Sequence, residues 1–180
     1  TSTRDVTSPV RERAAEGRAL PDDVTSADYS RSGLAAYGSG NLASAEAKLK
    51  AAVEGDRENA EMLNNLGQVL VRAGKAREAI AYFDRAIAAS PDKWAYRFNR
   101  ARAFAELKDW SQAIDGYTDA VRLLPDDYAT HFNLARAREA SGDLNRAIDS
   151  YAKAAELAPG QGEFQLWYGR ALDQAGRRQD

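Results

Sequence analysis

The apolar positions of this 180-residue chain come round at a fixed interval. Phe83, Tyr117 and Tyr151 are 34 residues apart, and each is preceded three residues earlier by Ile80, Ile114 or Ile148, the spacing that puts two side chains on one helix face. Small residues keep the same interval. Ala45, Ala79, Ala113 and Ala147 travel with the apolar stripes, while Gly33, Gly67, Ala101, Ala135 and Gly169 form a column on a separate, earlier helix. The pattern predicts helix pairs in which the backbones approach closely, because neither helix carries bulk at the point of contact. A single pair would leave its stripe in water, so each pair must stack on the next.

Turn chemistry divides the chain at the same interval. Gly40, Gly74, Gly142 and Gly176 stand where a first helix should end on a left-handed residue, and Lys108 takes that place in the third pair. Pro91-Asp92, Pro125-Asp126 and Pro159-Gly160 close the second helices, Arg57 replaces the proline in the first pair, and Asp92 or Asp127 is expected to cap the helix that follows. The predicted units are 26–59, 60–93, 94–127 and 128–161, with a single terminal or capping helix and tail over 162–180. Residues 1–25 read as a lead or linker, with room for a short helix from Ser8-Pro9 to Leu20 before Pro21-Asp22-Asp23. Arg100 and Arg138 occupy positions that are otherwise apolar.

The columns Leu66-Gly67, Ala79, Phe83, Ala86 and Pro91 are refilled as Ala101, Phe104, Ala113, Tyr117, Ala120 and Pro125. They are refilled again as Leu134-Ala135, Ala147, Tyr151, Ala154 and Pro159. This set resembles the tetratricopeptide repeat family. The resemblance implies an all-α fold, a right-handed α-solenoid of helix-turn-helix repeats whose first helices line a concave groove. It also implies a non-catalytic scaffold that holds a partner segment there.

Composition narrows the chemistry. Hydrophobic residues make up 44% and charged residues 29%, the balance of a folded globular chain. With 25 Lys+Arg against 27 Asp+Glu the net charge is −2, so no global positive field recruits nucleic acid or an anionic membrane. No cysteine is present, which removes thiol chemistry and thiolate metal sites and leaves cytosol and periplasm equally compatible. One histidine, His131, cannot build an imidazole metal cluster, and no metal or cofactor is expected. No apolar run approaches the ~20 residues of a membrane span. The first residue is Thr1 rather than methionine, as expected of a processed or truncated product.

Candidate chemistry is sparse. Gly38-Ser39-Gly40-Asn41-Leu42-Ala43 matches a dinucleotide fingerprint by letters, but a helix precedes it where the motif requires a strand. His131 lies within a first helix with no nucleophile in view, and packing or hydrogen bonding accounts for it. Glu106, Glu139, Asp143 and Asp149 read as solvated faces or caps. What recurs without a packing reason is a polar ladder on the first helices: Asn65, Asn99 and Asn133, then, three residues on, Gln68, Arg102 and Arg136, with Arg170 in the last helix. Phe98 and Phe132 lie four residues before Arg102 and Arg136 on the same helix face, where they are expected to give a bound segment apolar footing.

In the resembled family, asparagines in this column hold the backbone of an extended bound segment, and the resemblance implies that role for Asn65, Asn99 and Asn133. Arginine forks favour carboxylates, so the expected partner is a protein or peptide segment with acidic residues, extended or helical. The alternative use of the arginines is intrahelical pairing, Arg102 with Glu106, Arg136 with Glu139 and Arg170 with Asp173. Trp167 breaks the asparagine column, as a terminal aromatic anchor or a cap-face side chain, and Trp94 and Trp110 read as packing residues. Ala95 and Ala129, with Ser30, Asn64 and Phe98, stand where the family's carboxylate-clamp subtype carries lysines, which argues against that subtype. Self-association through the ends or convex faces of the stack is the second functional class, and a targeting arm cut from a larger protein is the remaining alternative.

Overall fold

The computed structural model describes residues 24–177. The lead expected over residues 1–25 therefore lies almost wholly outside the described residues. Among these, all regular structure is helical: α1 (Ser26–Gly38), α2 (Leu42–Gly55), α3 (Ala60–Arg72), α4 (Ala76–Ala89), α5 (Trp94–Glu106), α6 (Trp110–Leu123), α7 (Tyr128–Ala140), α8 (Leu144–Leu157) and α9 (Gly162–Gln174). Each helix packs on its sequence neighbour, α1 on α2, α3 on α4, α5 on α6 and α7 on α8, and each pair packs on the next. The first helices also touch one another directly, α1 with α3 and α3 with α5.

The small-residue column sets this arrangement. Gly67 lies against Phe83 so closely that a Cβ there would stand 2.5 Å from Phe83 Cε1, and a Cβ on Gly33 would stand 2.8 Å from Leu49 Cγ. In the third pair the close approach is shared: Ala101 is sealed, and a Cβ on Gly116 would come within 2.9 Å of the Ala101 Cβ. Ala45, Ala79, Ala113 and Ala147 are fully buried on the second helices, as are Phe83 and Tyr151, with Tyr117 all but sealed. Each large side chain so buried contributes roughly 1.5–3 kcal/mol, available only because a neighbouring pair closes over it. Among the described residues nothing covers α9 in this way. Gly169 faces open space and Leu166 is 64% exposed.

The helix ends follow the interval too. Asn41, Asn59, Asp109, Asp127 and Asp143 each accept a backbone N–H in the first turn of the next helix, and Thr25 forms a reciprocal box with Asp28. Asp92 does not cap α5. The capping position there belongs to Lys93, whose side chain accepts nothing, and Asp92 stands one residue too early. At the first-helix C-termini the 6→1 bonds Asn41 N–H to Ala36 O and Lys75 N–H to Leu70 O recur as Asp109 to Phe104 and Asp143 to Arg138. Lys108 holds φ at 59° in this turn, alone among the described non-glycine residues in having positive φ.

The two arginines at apolar positions are accommodated rather than expelled. Arg100 pairs through Nε with Asp84 at 2.6 Å and lies over the Phe104 ring at 4.9 Å. Arg138 donates to Ser150 Oγ at 2.7 Å, and burial pulls its pKa below the usual arginine value.

A left-handed lysine costs roughly 1 kcal/mol more than glycine at the same backbone geometry. Lys108→Gly should therefore raise the thermal unfolding midpoint by a few degrees, whereas Gly142→Lys at the equivalent turn should lower it.

Candidate functional site

The first helices carry the ladder, and the structure separates its members. Arg102 on α5 and Asn133 and Arg136 on α7 converge on one cleft of about 380 Å³, whose lining also includes Ala105, Glu106, Lys108, Trp110 and Tyr117. Tyr117 projects from α6, and its ring is 1% exposed. Burial pushes its phenol well above the ordinary tyrosine value, while the positive charges of Arg102 and Arg136 pull it back, so both guanidinium groups act on the same hydroxyl. Neither Arg102 nor Arg136 forms an ion pair among the described residues. The Glu139 carboxylate instead accepts from the Tyr151 hydroxyl at 2.6 Å.

Asn133 is half-buried and donates through Nδ2 to its own helix at Ala129 O, 2.8 Å, which leaves its carbonyl oxygen available toward the cleft. Asn99 behaves differently. It is 8% exposed, and its Nδ2 donates at 2.9 Å to Oδ1 of Asn64, itself 7% exposed on α3. This buried amide pair ties two consecutive first helices together. Asn65 and Gln68 lie one pair away, half-buried, and neither lines the cleft.

Phe98 and Phe132 are half-buried within an aromatic chain. Phe98 stands 5.5 Å from Tyr117 and 6.0 Å from Trp94 between ring centroids. Phe132 stands 5.7 Å from Tyr151, 5.1 Å from Phe164 and 5.9 Å from Trp167. Phe98 thus ties the two helices of its own pair together and Phe132 also joins its pair to α9, each such contact adding about 0.5–1.5 kcal/mol beyond burial. Trp167 stacks on Tyr151 at 6.1 Å with the planes 17° apart, and Arg170 lies over its indole at 4.5 Å. Trp110 both packs on the Tyr117 cluster and borders the cleft.

The discarded motifs take ordinary places. Gly38 to Ala43 span the end of α1 and the start of α2. His131 donates through Nε2 to Pro125 O at 2.8 Å. No group of three or more potential metal ligands occurs among the described residues, and no described helix is long and apolar enough to cross a membrane.

The sequence model of the tetratricopeptide repeat matches residues 31–93 and 65–128, and a second model of the same repeat matches residues 128–161. The chain belongs to the tetratricopeptide repeat family. Among curated proteins it is 38% identical over 84 residues to the TPR repeat-containing thioredoxin TTL4 of Arabidopsis thaliana, covering 46% of this chain and 12% of that protein. It is 34% identical over 62 residues to the protein O-mannosyl-transferase Tmtc3 of Drosophila melanogaster, covering 34% of this chain and 7% of that protein. The chain thus spans a small fraction of these curated relatives.

Among solved structures, a crystal structure of MamA protein superposes with a TM-score of 0.78 at 21% identity, over 85% of this chain and 84% of that one. MamA 41-end from Desulfovibrio magneticus RS-1 gives the same TM-score at 19% identity, over 88% of this chain and 89% of the other. At these identities the tetratricopeptide fold is what is shared.

The Asn64–Asn99 tie and the place of Tyr117 in the cleft escape a reading by columns. Asn64 and Asn99 are 35 residues apart, one step off the repeat interval, so an alignment of units never pairs them. Tyr117 sits in the apolar column, where periodicity marks it as a core residue and not as part of a polar site.

Asn99→Ala should lower stability by about 1–3 kcal/mol, because it leaves the buried Asn64 carbonyl unpaired. Asn133→Ala, which loses only a bond to its own helix, should fall within about 0.5 kcal/mol of wild type in urea unfolding.

Proposed function

We propose that the chain is a non-catalytic protein-interaction scaffold that grips an acidic partner segment along its first helices, with the α5/α7 cleft as the strongest point of contact. Membership of the tetratricopeptide repeat family supports the interaction role. The observation that carries the finer reading is the convergence of Arg102, Arg136 and Lys108, against a single carboxylate, Glu106, around one cleft. Two guanidinium forks without internal partners are suited to carboxylates, and the free Asn133 carbonyl can accept a peptide N–H. Within this reading Asn65, Gln68 and Arg170 extend the contact along neighbouring helices. Phe98 and Phe132 act through packing that fixes the spacing of the arginines, and Asn99 through the buried tie to Asn64.

A second reading, end-to-end association of copies, is favoured by one observation, the uncovered α9 face with Leu166 and Gly169.

A fluorescein-labelled, amidated peptide of alternating Glu and Gly, and its Gln counterpart, test the first reading by fluorescence anisotropy. The Glu peptide should bind the wild type more tightly, and Arg102→Ala with Arg136→Ala should weaken it by at least about tenfold, the equivalent of 1.4 kcal/mol. Equal binding of the two peptides, or indifference to the arginine substitutions, contradicts the groove reading. Light scattering of the same samples across concentration separates the second, since a persistent monomer opposes end-to-end association.

A further inference from the structure

The repeat supplies its own template for what the cleft holds. In the fourth pair, Tyr151 donates its hydroxyl to the Glu139 carboxylate at 2.6 Å. The charges of Arg136 and Arg170 reach that tyrosine. The third pair has the same frame one interval earlier. Tyr117 stands for Tyr151, and Arg102 and Arg136 stand for Arg136 and Arg170. The position of Glu139, however, is taken by Ala105, which has no carboxylate to offer and lines the cleft beside Tyr117.

The Tyr117 hydroxyl makes no hydrogen bond among the described residues, and Tyr117 lines the same cleft as the two arginines. The second pair lacks the frame altogether, with Phe83 in the tyrosine column and Val71 in the glutamate column. The third level therefore has the donor and the flanking cations, and the one carboxylate of its cleft, Glu106, makes no hydrogen bond to that donor.

We propose that the space left by Ala105 is a seat for one carboxylate of the bound partner, which accepts from the Tyr117 hydroxyl between Arg102 and Arg136 just as Glu139 accepts from Tyr151 inside the molecule. The inference rests on the groove reading above and adds to it a single anchoring residue in the partner and a specificity-determining hydroxyl in this chain. The shared ligand chemistry is a carboxylate, whether from an Asp or Glu side chain or from a chain terminus. Seating it satisfies a donor that is otherwise without a protein partner and sets negative charge between two positive ones.

Ala105→Glu tests the seat directly, because it rebuilds the internal pair of the fourth level in the third. The variant should melt at or above the wild-type temperature, which shows that the fold tolerates the side chain. It should bind the labelled Glu peptide at least about tenfold more weakly, while Tyr117→Phe, which keeps the ring and removes only the donor, should weaken it about threefold or more. In the Ala105→Glu background the further change Tyr117→Phe should cost little additional affinity, since both act on one contact. A Gln-Gly peptide with a free C-terminal carboxylate, used as competitor, identifies the source. Displacement by it that Ala105→Glu abolishes assigns the seat to a chain terminus, and the amidated Glu peptide displacing alone assigns it to a side chain.

Wild-type affinity for the Glu peptide in Ala105→Glu, with the arginine dependence intact, overturns the seat and leaves the groove reading standing. No preference of the wild type for Glu over Gln overturns both.

Discussion

The close approach of two helix backbones, made possible by glycine or alanine on one and filled by a large apolar side chain from the other, is the constraint from which the molecule is built. At Gly67 the ring of Phe83 occupies the space a Cβ would need, and at Gly33 the isobutyl group of Leu49 does the same. This fixes how far apart the two helices of a pair lie, and repetition at the same interval fixes how the pairs stack. Every other regularity depends on it. The capping residues, the glycine turns and the rows of side chains on the first helices fall into line because the unit has constant length and a constant internal contact.

That regularity is what lets residues distant in the sequence share a site. Arg102 and Arg136 come to the same cleft because they occupy the same place in consecutive units, and Tyr117 joins them because α6 packs against both α5 and α7. The variation within the rows then sets the local chemistry. An exchange of Glu139 for Ala105 one interval apart turns an internally satisfied tyrosine into an open donor, with no change in backbone architecture. Scaffolds of this kind acquire specificity by small substitutions on a surface whose geometry is already set by packing.

Much of this was legible in the residues. The helix-pair architecture follows from the small and aromatic columns, and the glycine turns, including the lysine at 108, were visible as departures from a fixed interval. What the columns could not show were contacts between units that fall off the interval. Asn64 and Asn99 pair across neighbouring first helices with a one-residue offset, so Asn99 read as part of an exposed ladder although it is tied to its neighbour. Capping failed similarly at Asp92, where a plausible cap residue stands one position from the geometry it needs. The aromatic residues of the ladder face also make ring contacts that spacing does not reveal, Phe98 with Tyr117 inside its own pair and Phe132 with Phe164 on the following helix. In each case the missing information was distance.

The central claim, that packing of a small first-helix residue against a large second-helix one governs the stack, is tested most directly by a double-mutant cycle on Gly67→Ala and Phe83→Leu in urea unfolding. Each change alone should destabilise, the first by overpacking and the second by loss of ring contacts. The smaller leucine should relieve the clash, so the double variant should be more stable than the sum of the single losses by about 1 kcal/mol or more. Strict additivity, or no cost from Gly67→Ala alone, would contradict the account.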